Sequence, residues 1–149
     1  MKKVLLFLLL IVYSFSVDGF RELKWESPPE EFYKYYSDYK YEVYNNSYFA
    51  LIYPNIYFEG ENLERVDLFY INAKLAQWMG LTRTSKESAL KIYNNYKNKY
   101  KPENENITEN TRYFQYIDTK SQDANIIFIT LREYDTFSLI LYSFSHTVK

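Results

Sequence analysis

The sequence predicts an α+β fold, in which three helices pack on a small antiparallel sheet and a three-stranded meander follows at the C-terminal end. Residues 27–30 and 84–87 each have the pattern of a capping box, which indicates the start of a helix. Residues 62–79 have apolar positions at helical spacing, and the last third of the chain has short runs rich in Ile and Phe. The predicted order is therefore helix, strand, helix, helix and three strands, typical of the α+β class.

The first predicted helix begins at Ser27 and is rich in aromatic residues. Two prolines and Glu30 follow, so that the serine hydroxyl and the glutamate carboxylate are spaced to cap each other's backbone N–H groups. Aromatic side chains then recur at helical spacing. The end of this segment is ambiguous, since Tyr39, Tyr41 and Val43 also alternate as they would in a strand.

The middle of the chain predicts a strand and then a buried helix. The strand covers residues 48–58 and lies at an edge or bends at Pro54, because proline has no N–H group to donate to a neighbouring strand. The second helix covers residues 62–79 and ends at Gly80. Its apolar residues fall on two faces, which predicts the most buried helix of the fold.

The third helix and the meander complete the predicted order. Thr84 and Glu87 belong to the second capping box, and Pro102 ends the helix that follows. The three strands of the meander are predicted at residues 113–117, 125–132 and 137–144.

The first sixteen residues have the composition of a secretion signal. Lys2 and Lys3 precede an apolar run over residues 4–13. Ser14 and Ser16 are small residues at the positions that a signal peptidase inspects, three and one before the cut. The sequence therefore predicts export to the periplasm or to the medium.

Cleavage is expected after Ser16, or alternatively after Gly19, which leaves residues 17–149 as a single extracytoplasmic domain. The apolar run is shorter than the about 20 residues that span a bilayer, so no integral membrane span is expected after cleavage. Retention of the segment would instead make the protein a membrane-tethered accessory subunit. A buried core helix is disfavoured, since nothing polar divides the run into faces.

The composition excludes several classes of protein. The chain has no cysteine, so neither disulfides nor a lipid-modified cysteine can hold or anchor it. It is tyrosine-rich, with 18 tyrosines and 11 phenylalanines, which favours an ordered rather than a disordered chain. The net charge is −1, and no basic patch beyond the end of a predicted helix stands out, so no nucleic-acid partner is expected.

No motif predicts a catalytic residue, a metal site or a cofactor. The single histidine, His146, lies where a frayed polar tail is expected, and Ser145 beside it points to the opposite face of a strand, which argues against a catalytic triad. One histidine and no cysteine exclude the usual zinc sites. The scarcity of glycine argues against a loop that cradles nucleotide phosphates.

A small carboxylate-dependent hydrolase that acts on glycans is the alternative prediction. Glu59, Glu61, Glu64 and Asp67 lie together around the start of the second predicted helix. Two carboxyl groups at a suitable separation can hydrolyse a glycan. Acidic residues near a helix N-terminus also stabilise the helix dipole, and we favour this structural explanation.

The aromatic excess is the remaining functional signal. Trp25, Tyr33, Tyr36 and Tyr41 lie in a crowded aromatic segment. Tyrosine and tryptophan combine an apolar ring with a polar group, which suits interfaces between proteins. The sequence therefore predicts a non-enzymatic binding or accessory domain that contacts a protein or a cell-envelope component through these aromatic residues.

Overall fold

Strands rather than helices make up most of the protein in the computed structural model. It describes residues 19–44, 47–52, 56–58, 60–118 and 125–148, except for the side chains of Tyr41 and Glu61. In chain order the elements are β1 (Gly19–Phe20), β2 (Leu23–Lys24), α1 (Pro29–Tyr35), β3 (Tyr39–Tyr44), β4 (Ser47–Ile52), β5 (Ile56–Phe58), β6 (Glu61–Leu63), β7 (Arg65–Ile71), β8 (Lys74–Thr84), α2 (Lys86–Tyr100), β9 (Glu105–Ile107), β10 (Thr111–Asp118), β11 (Asn125–Glu133) and β12 (Ser138–His146).

Eight of the strands form one antiparallel sheet in the order β3-β4-β7-β8-β12-β11-β10-β9. Two short ribbons, β1-β2 and β5-β6, lie outside it. The predicted α+β arrangement of three helices on a small sheet is therefore wrong, because the described residues contain two helices and a sheet that dominates the fold. The predicted signal peptide, residues 1–16, lies outside the described residues.

The segment predicted as the second helix, residues 62–79, is largely a hairpin of β7 and β8. Its turn residues Asn72 and Ala73 have φ angles of 51° and 57°, the two positive values that define a type I′ turn. The residue pair is Asn-Ala rather than the usual Asn-Gly, which makes the turn inconspicuous in the sequence. Gly80, predicted to end a helix, lies within β8. The apolar positions on two faces belong to strands in the middle of a sheet.

Ala73→Gly is expected to raise the free energy of unfolding by about 1 kcal/mol, because glycine has no Cβ to strain at a positive φ. In a helix the same substitution lowers the free energy of unfolding by about 1 kcal/mol. Urea unfolding followed by circular dichroism measures the sign. Ala89→Gly, inside α2, is the matched control and should destabilise the protein; a loss of stability in Ala73→Gly contradicts the type I′ turn.

The first helix is shorter than its capping-box pattern predicts. α1 covers seven residues. Its N-cap is Pro28, and no side chain at this position accepts a hydrogen bond from the backbone of the first turn. The Ser27 hydroxyl is buried and has no hydrogen-bond partner among the described atoms. The segment after α1 is β3, which pairs with β4 through Tyr39 opposite Ile52 and Val43 opposite Tyr48. Cross-strand pairing therefore outweighs the helical spacing of the same residues.

The last helix and the meander follow the sequence patterns more closely. α2 begins one residue later than predicted, and its cap is Ser85, whose hydroxyl accepts a hydrogen bond from the Ser88 N–H at 3.2 Å. The helix ends at Lys101, which has a left-handed conformation and precedes Pro102. β10 pairs with β11, and β11 with β12, as the predicted meander requires.

One face of the sheet, here called the covered face, forms the core together with the two ribbons. Trp78 of β8 is at its centre and stacks on Phe144 of β12 with the ring centroids 4.5 Å apart. Phe20 of β1 and Phe58 of β5 approach the same indole to 4.9 and 4.8 Å. The indole N–H donates to the Gly19 carbonyl at 3.1 Å, which ties the β1-β2 ribbon to the sheet.

α2 packs on the other half of the covered face. Tyr93 contacts Phe114 of β10, and Tyr96 contacts Tyr142 of β12, with centroid separations of 5.5 and 5.4 Å. Because α2 and the ribbons all pack on this face, the opposite face of the sheet is directed away from the described helices and ribbons.

Candidate binding face

The second face of the eight-stranded sheet, here called the open face, is built from alternate residues of each strand. Residues opposite each other in neighbouring strands share a face, so the register defines rows across the sheet. One such row consists of Leu51, Asp67, Met79, Ser143, Phe128 and Gln115. The apolar residues of the open face are Tyr44, Phe49, Leu51, Phe69, Ile71, Met79, Leu81, Tyr113, Ile117, Ile126, Phe128, Leu139 and Leu141.

These apolar side chains are half-buried by one another, except for Tyr44, Ile71 and Ile117, which are 74 %, 48 % and 50 % exposed. Phe49 packs on Phe69 at a centroid distance of 5.0 Å, and Tyr113 packs on Phe128 at 5.3 Å. A sheet face in contact with water normally carries polar residues at alternate positions. The open face is mixed, since Leu51, Met79 and Phe128 alternate with polar residues in the row above, but its apolar share is larger than a solvated face needs. Exposed apolar clusters of this kind are typical of surfaces that bind another molecule.

Polar groups near the middle of the open face are paired with one another. The Arg65 Nε donates to Asp67 Oδ1 at 2.7 Å, and Asp67 is buried by its neighbours. The Gln77 amide donates to the Ser143 hydroxyl at 3.0 Å. Because each group already has a partner on the same face, these groups can be covered without leaving a buried charge alone.

Two hollows interrupt the open face. The smaller, about 250 Å³ in volume, lies between β7, β8 and β12 and is lined by Arg65, Asp67, Met79, Gly80, Leu81 and Leu141. The larger, about 530 Å³, lies where β10 meets the segment that follows α2 and is lined by Lys101, Glu103, Asn104, Asn106, Tyr113, Gln115, Tyr116, Ile117 and Phe128. The first has apolar walls beside one ion pair, and the second is more polar, so the two differ in the groups they can accept.

The four aromatic residues predicted to bind a partner are placed differently from one another. Tyr33 is 43 % exposed and lies beside the ring of Tyr39 at 5.3 Å. Tyr36 is half-buried, and its hydroxyl donates to a carboxylate oxygen of Glu22 at 2.9 Å; burial, followed by this hydrogen bond, raises the Tyr36 pKa. Their role as binding residues stays a prediction.

Trp25 and Tyr41, the other two predicted binding residues, lie at separate places. Trp25 is half-buried and stacks on His146 with the ring centroids 5.5 Å apart. Tyr41 pairs with Ala50 in the sheet, while its side chain lies outside the described part of the structure. Binding by these two residues also stays a prediction.

His146 belongs to a hydrogen-bonded network rather than to a frayed tail. β12 continues through this residue, and its Nδ1 lies 2.8 Å from Asn125 Oδ1. Its Nε2 lies 3.5 Å from Glu26 Oε1, while the Lys74 ammonium donates to Glu26 Oε2 at 2.7 Å. The network joins the segment after β2 to the end of the sheet, which is a structural role.

Glu26→Gln is expected to destabilise the protein at pH 7 and to have less effect as the pH falls. The hydrogen bond from Lys74, with a further contribution from His146, holds the pKa of Glu26 below its ordinary value of 4.5. A lowered pKa in the folded state gives stability that is complete above the ordinary value and is lost as the pH falls through the folded value. Urea midpoints of both proteins between pH 7 and pH 3 measure this convergence. Glu109→Gln, in the exposed turn between β9 and β10, is the control; a difference independent of pH contradicts the network.

The acidic residues considered for glycan hydrolysis are engaged with arginines where the structure describes them. Asp67 pairs with Arg65, and Glu64 lies 3.6 Å from the Arg83 guanidinium. Glu59 and the side chain of Glu61 lie outside the described residues. Within the same described ranges, no group of three or more His, Asp or Glu side chains is placed to hold a metal ion.

The helical interpretation of residues 62–79 conceals the open face, because β7 and β8 are neighbours in the middle of the sheet and join its two sides. A signal for it is present in the sequence. From Val66 to Ile71, β-branched, aromatic and leucine side chains follow one another with Asp67 as the single polar residue. Such a nearly continuous apolar run is typical of a strand with apolar surroundings on both faces.

No protein family, curated protein or solved structure matches the chain. Neither α1 nor α2, the helices of the described residues, has the length and apolar character needed to cross a bilayer.

Proposed function

We propose that this protein is a non-enzymatic binding or accessory domain that contacts a protein or a cell-envelope component through the open face. The observation that carries the proposal is the set of apolar side chains on the second face of the sheet, on which no described helix or ribbon packs. Aromatic residues on this face, such as Phe49, Phe69 and Phe128, belong to the residue classes found at the centres of interfaces.

The energetics of covering the open face favour association. Removal of apolar surface from water contributes roughly 25 cal/mol per Å². Asp67 and Arg65 neutralise each other at 2.7 Å, so a partner needs no complementary charge at the centre of the face. The hollow beside Met79 and Leu141 is large enough to accept an apolar anchor side chain.

Site-specific photo-crosslinking in the native host tests the proposal. A photoreactive phenylalanine analogue is introduced in place of Met79, Phe128 or Leu141 on the open face, and separately in place of Glu87 or Lys91 on the exposed surface of α2. We expect a discrete crosslinked species from the three open-face positions and none from the α2 positions. Mass spectrometry of that species identifies the partner.

Folding of each variant is checked by circular dichroism. Absence of crosslinks at all three open-face positions in folded protein contradicts the proposal, and so does the same product from the α2 controls.

Export is the second part of the proposal, with the mature domain periplasmic or secreted. Lys2, Lys3 and the apolar run support it. Cleavage after Ser16 is favoured over cleavage after Gly19, because Gly19 pairs with Lys24 in β1-β2 and its carbonyl accepts the Trp78 N–H.

N-terminal sequencing of the protein isolated from its host tests this assignment, and a sequence that begins at Val17 is expected. A start at Phe20 places the cut after Gly19, and a start at Met1 favours a membrane-tethered accessory subunit.

A further inference from the structure

β3 is an edge strand of the eight-stranded sheet, and its far end is strongly exposed. The strand order begins with β3, which pairs with β4 on one side only within the described residues. Val43 and Tyr44 are 62 % and 74 % exposed. An edge of this kind presents backbone N–H and C=O groups to which another strand can bind.

The register of the β3-β4 hairpin indicates which backbone groups point outward. Tyr44 is opposite Ser47, and two residues separate them in the sequence. The pair that closes a two-residue loop exchanges both backbone hydrogen bonds, and such pairs alternate along the strands. The backbone groups of Tyr39, Tyr41 and Val43 are therefore directed away from β4.

The charges on β3 are arranged symmetrically about Tyr41. Lys40 and Glu42 flank this residue, are both exposed and lie on the same face of the strand. When two copies of β3 run antiparallel with Tyr41 opposite itself, Lys40 of each copy lies opposite Glu42 of the other. In the same register Tyr39 lies opposite Val43, and the outward-directed backbone groups of the two strands meet.

We propose that two copies of this chain associate through antiparallel pairing of their β3 strands, centred on Tyr41. Opposite charges at two cross-strand positions favour this register, and a shift of two residues removes both Lys40–Glu42 pairings. The arrangement is a closed twofold dimer, in which the same strand of each copy forms the contact.

Pairing in this way extends the two sheets into one. The twofold axis is perpendicular to the sheet, so the open faces of the two copies lie on the same side. Lys40 and Glu42 lie on that same side, opposite Leu51 and Phe49 of β4, so a strip of paired charges joins the apolar areas of the two copies. This association goes beyond the proposed contact with a partner and does not depend on it.

Charge reversal on β3 tests the dimer. The full chain is expressed, and the protein is purified in the form in which it accumulates. Lys40→Glu places glutamate opposite glutamate at both positions, and Glu42→Lys places lysine opposite lysine. We expect each variant to dimerise about tenfold more weakly than the wild type, since two favourable pairs become repulsive. An equimolar mixture of the two variants restores opposite charges at both positions and should form a heterodimer of wild-type affinity.

Sedimentation equilibrium measures the masses, and circular dichroism establishes that each variant is folded. Lys86→Glu, on the exposed N-terminal turn of α2, is the control and should dimerise as the wild type does. A wild-type protein that remains monomeric overturns the proposal. Single variants that dimerise as tightly as the wild type, or a mixture that fails to restore the dimer, also overturn it; none of these results bears on the crosslinks of the open face.

Discussion

Trp78→Ala is expected to lower the free energy of unfolding by about 3–5 kcal/mol, the cost of removing a large buried aromatic side chain. Trp78 has no exposed surface and stacks on Phe144 at 4.5 Å, with Phe20 and Phe58 also against its ring. The substitution leaves a cavity that both β1-β2 and β5-β6 border, and it removes the donor to the Gly19 carbonyl. Small domains have total free energies of unfolding of about 5–15 kcal/mol, so this loss removes a large share of the stability.

Urea unfolding followed by circular dichroism measures the loss. Trp78→Phe keeps a ring in the cavity but removes the N–H donor, and an intermediate loss is expected. Tyr57→Ala is the control, because Tyr57 is 60 % exposed and its loss should change the free energy of unfolding by no more than about 0.5 kcal/mol. Equal effects of Trp78→Ala and Tyr57→Ala contradict the position of Trp78 at the centre of the core.

Gly80→Ala is expected to lower the free energy of unfolding by about 1–3 kcal/mol through overpacking. A Cβ at this position lies 3.1 Å from Trp78 Cζ3 and 3.3 Å from Leu63 Cδ1. Both neighbours are buried on the covered face, so either can move away only against other core side chains. Urea midpoints of the variant and the wild type measure the effect.

A double-mutant cycle with Leu63→Ala identifies the cause of that loss. Removal of the Leu63 side chain relieves one of the two close contacts, so Gly80→Ala should cost about 1 kcal/mol less in the Leu63→Ala background. If Gly80 were the C-terminal stop of a helix over residues 62–79, Leu63 would lie at the other end of that helix. Additive effects of the two substitutions therefore contradict the strand position of Gly80.

The parts of the fold that the sequence predicts are those with local signals. α2 has an N-cap serine, a helical apolar stripe and a proline after its last turn, all within one segment. The meander has apolar runs separated by polar turns. These signals require no knowledge of what the segment packs against.

The parts that the sequence does not predict depend on contacts between distant residues. Ala73 adopts a positive φ only because β7 and β8 pair, and alanine itself carries no sign of a turn. Ser27 and Glu30 have the spacing of a capping box, yet the chain starts its helix after Pro28 and pairs β3 with β4. Local propensity is weak compared with burial in a central sheet.

The residues of the open face cannot be located from the sequence alone. An excess of aromatic side chains predicts a contact surface, which stays a prediction, whereas the residues that share a face are known only from the register. Met79 and Phe128 are far apart in the sequence and belong to one row only because β8, β12 and β11 are neighbours. Trp25 and Tyr36, two of the four aromatic residues predicted from the sequence, pack partly on the core, and binding by these four residues stays a prediction.

Thiol labelling along β12 tests most directly whether the open face is the contact surface. The chain has no cysteine, so Leu139→Cys, Ile140→Cys and Leu141→Cys each introduce a single reporter. In the isolated protein, maleimide should react with the thiols at 139 and 141 but not at 140, which is on the covered face. In the native host, the bound partner should slow labelling at 139 and 141. A thiol at position 141 that is unreactive in the isolated protein, or equally reactive in the host and in isolation, contradicts the account.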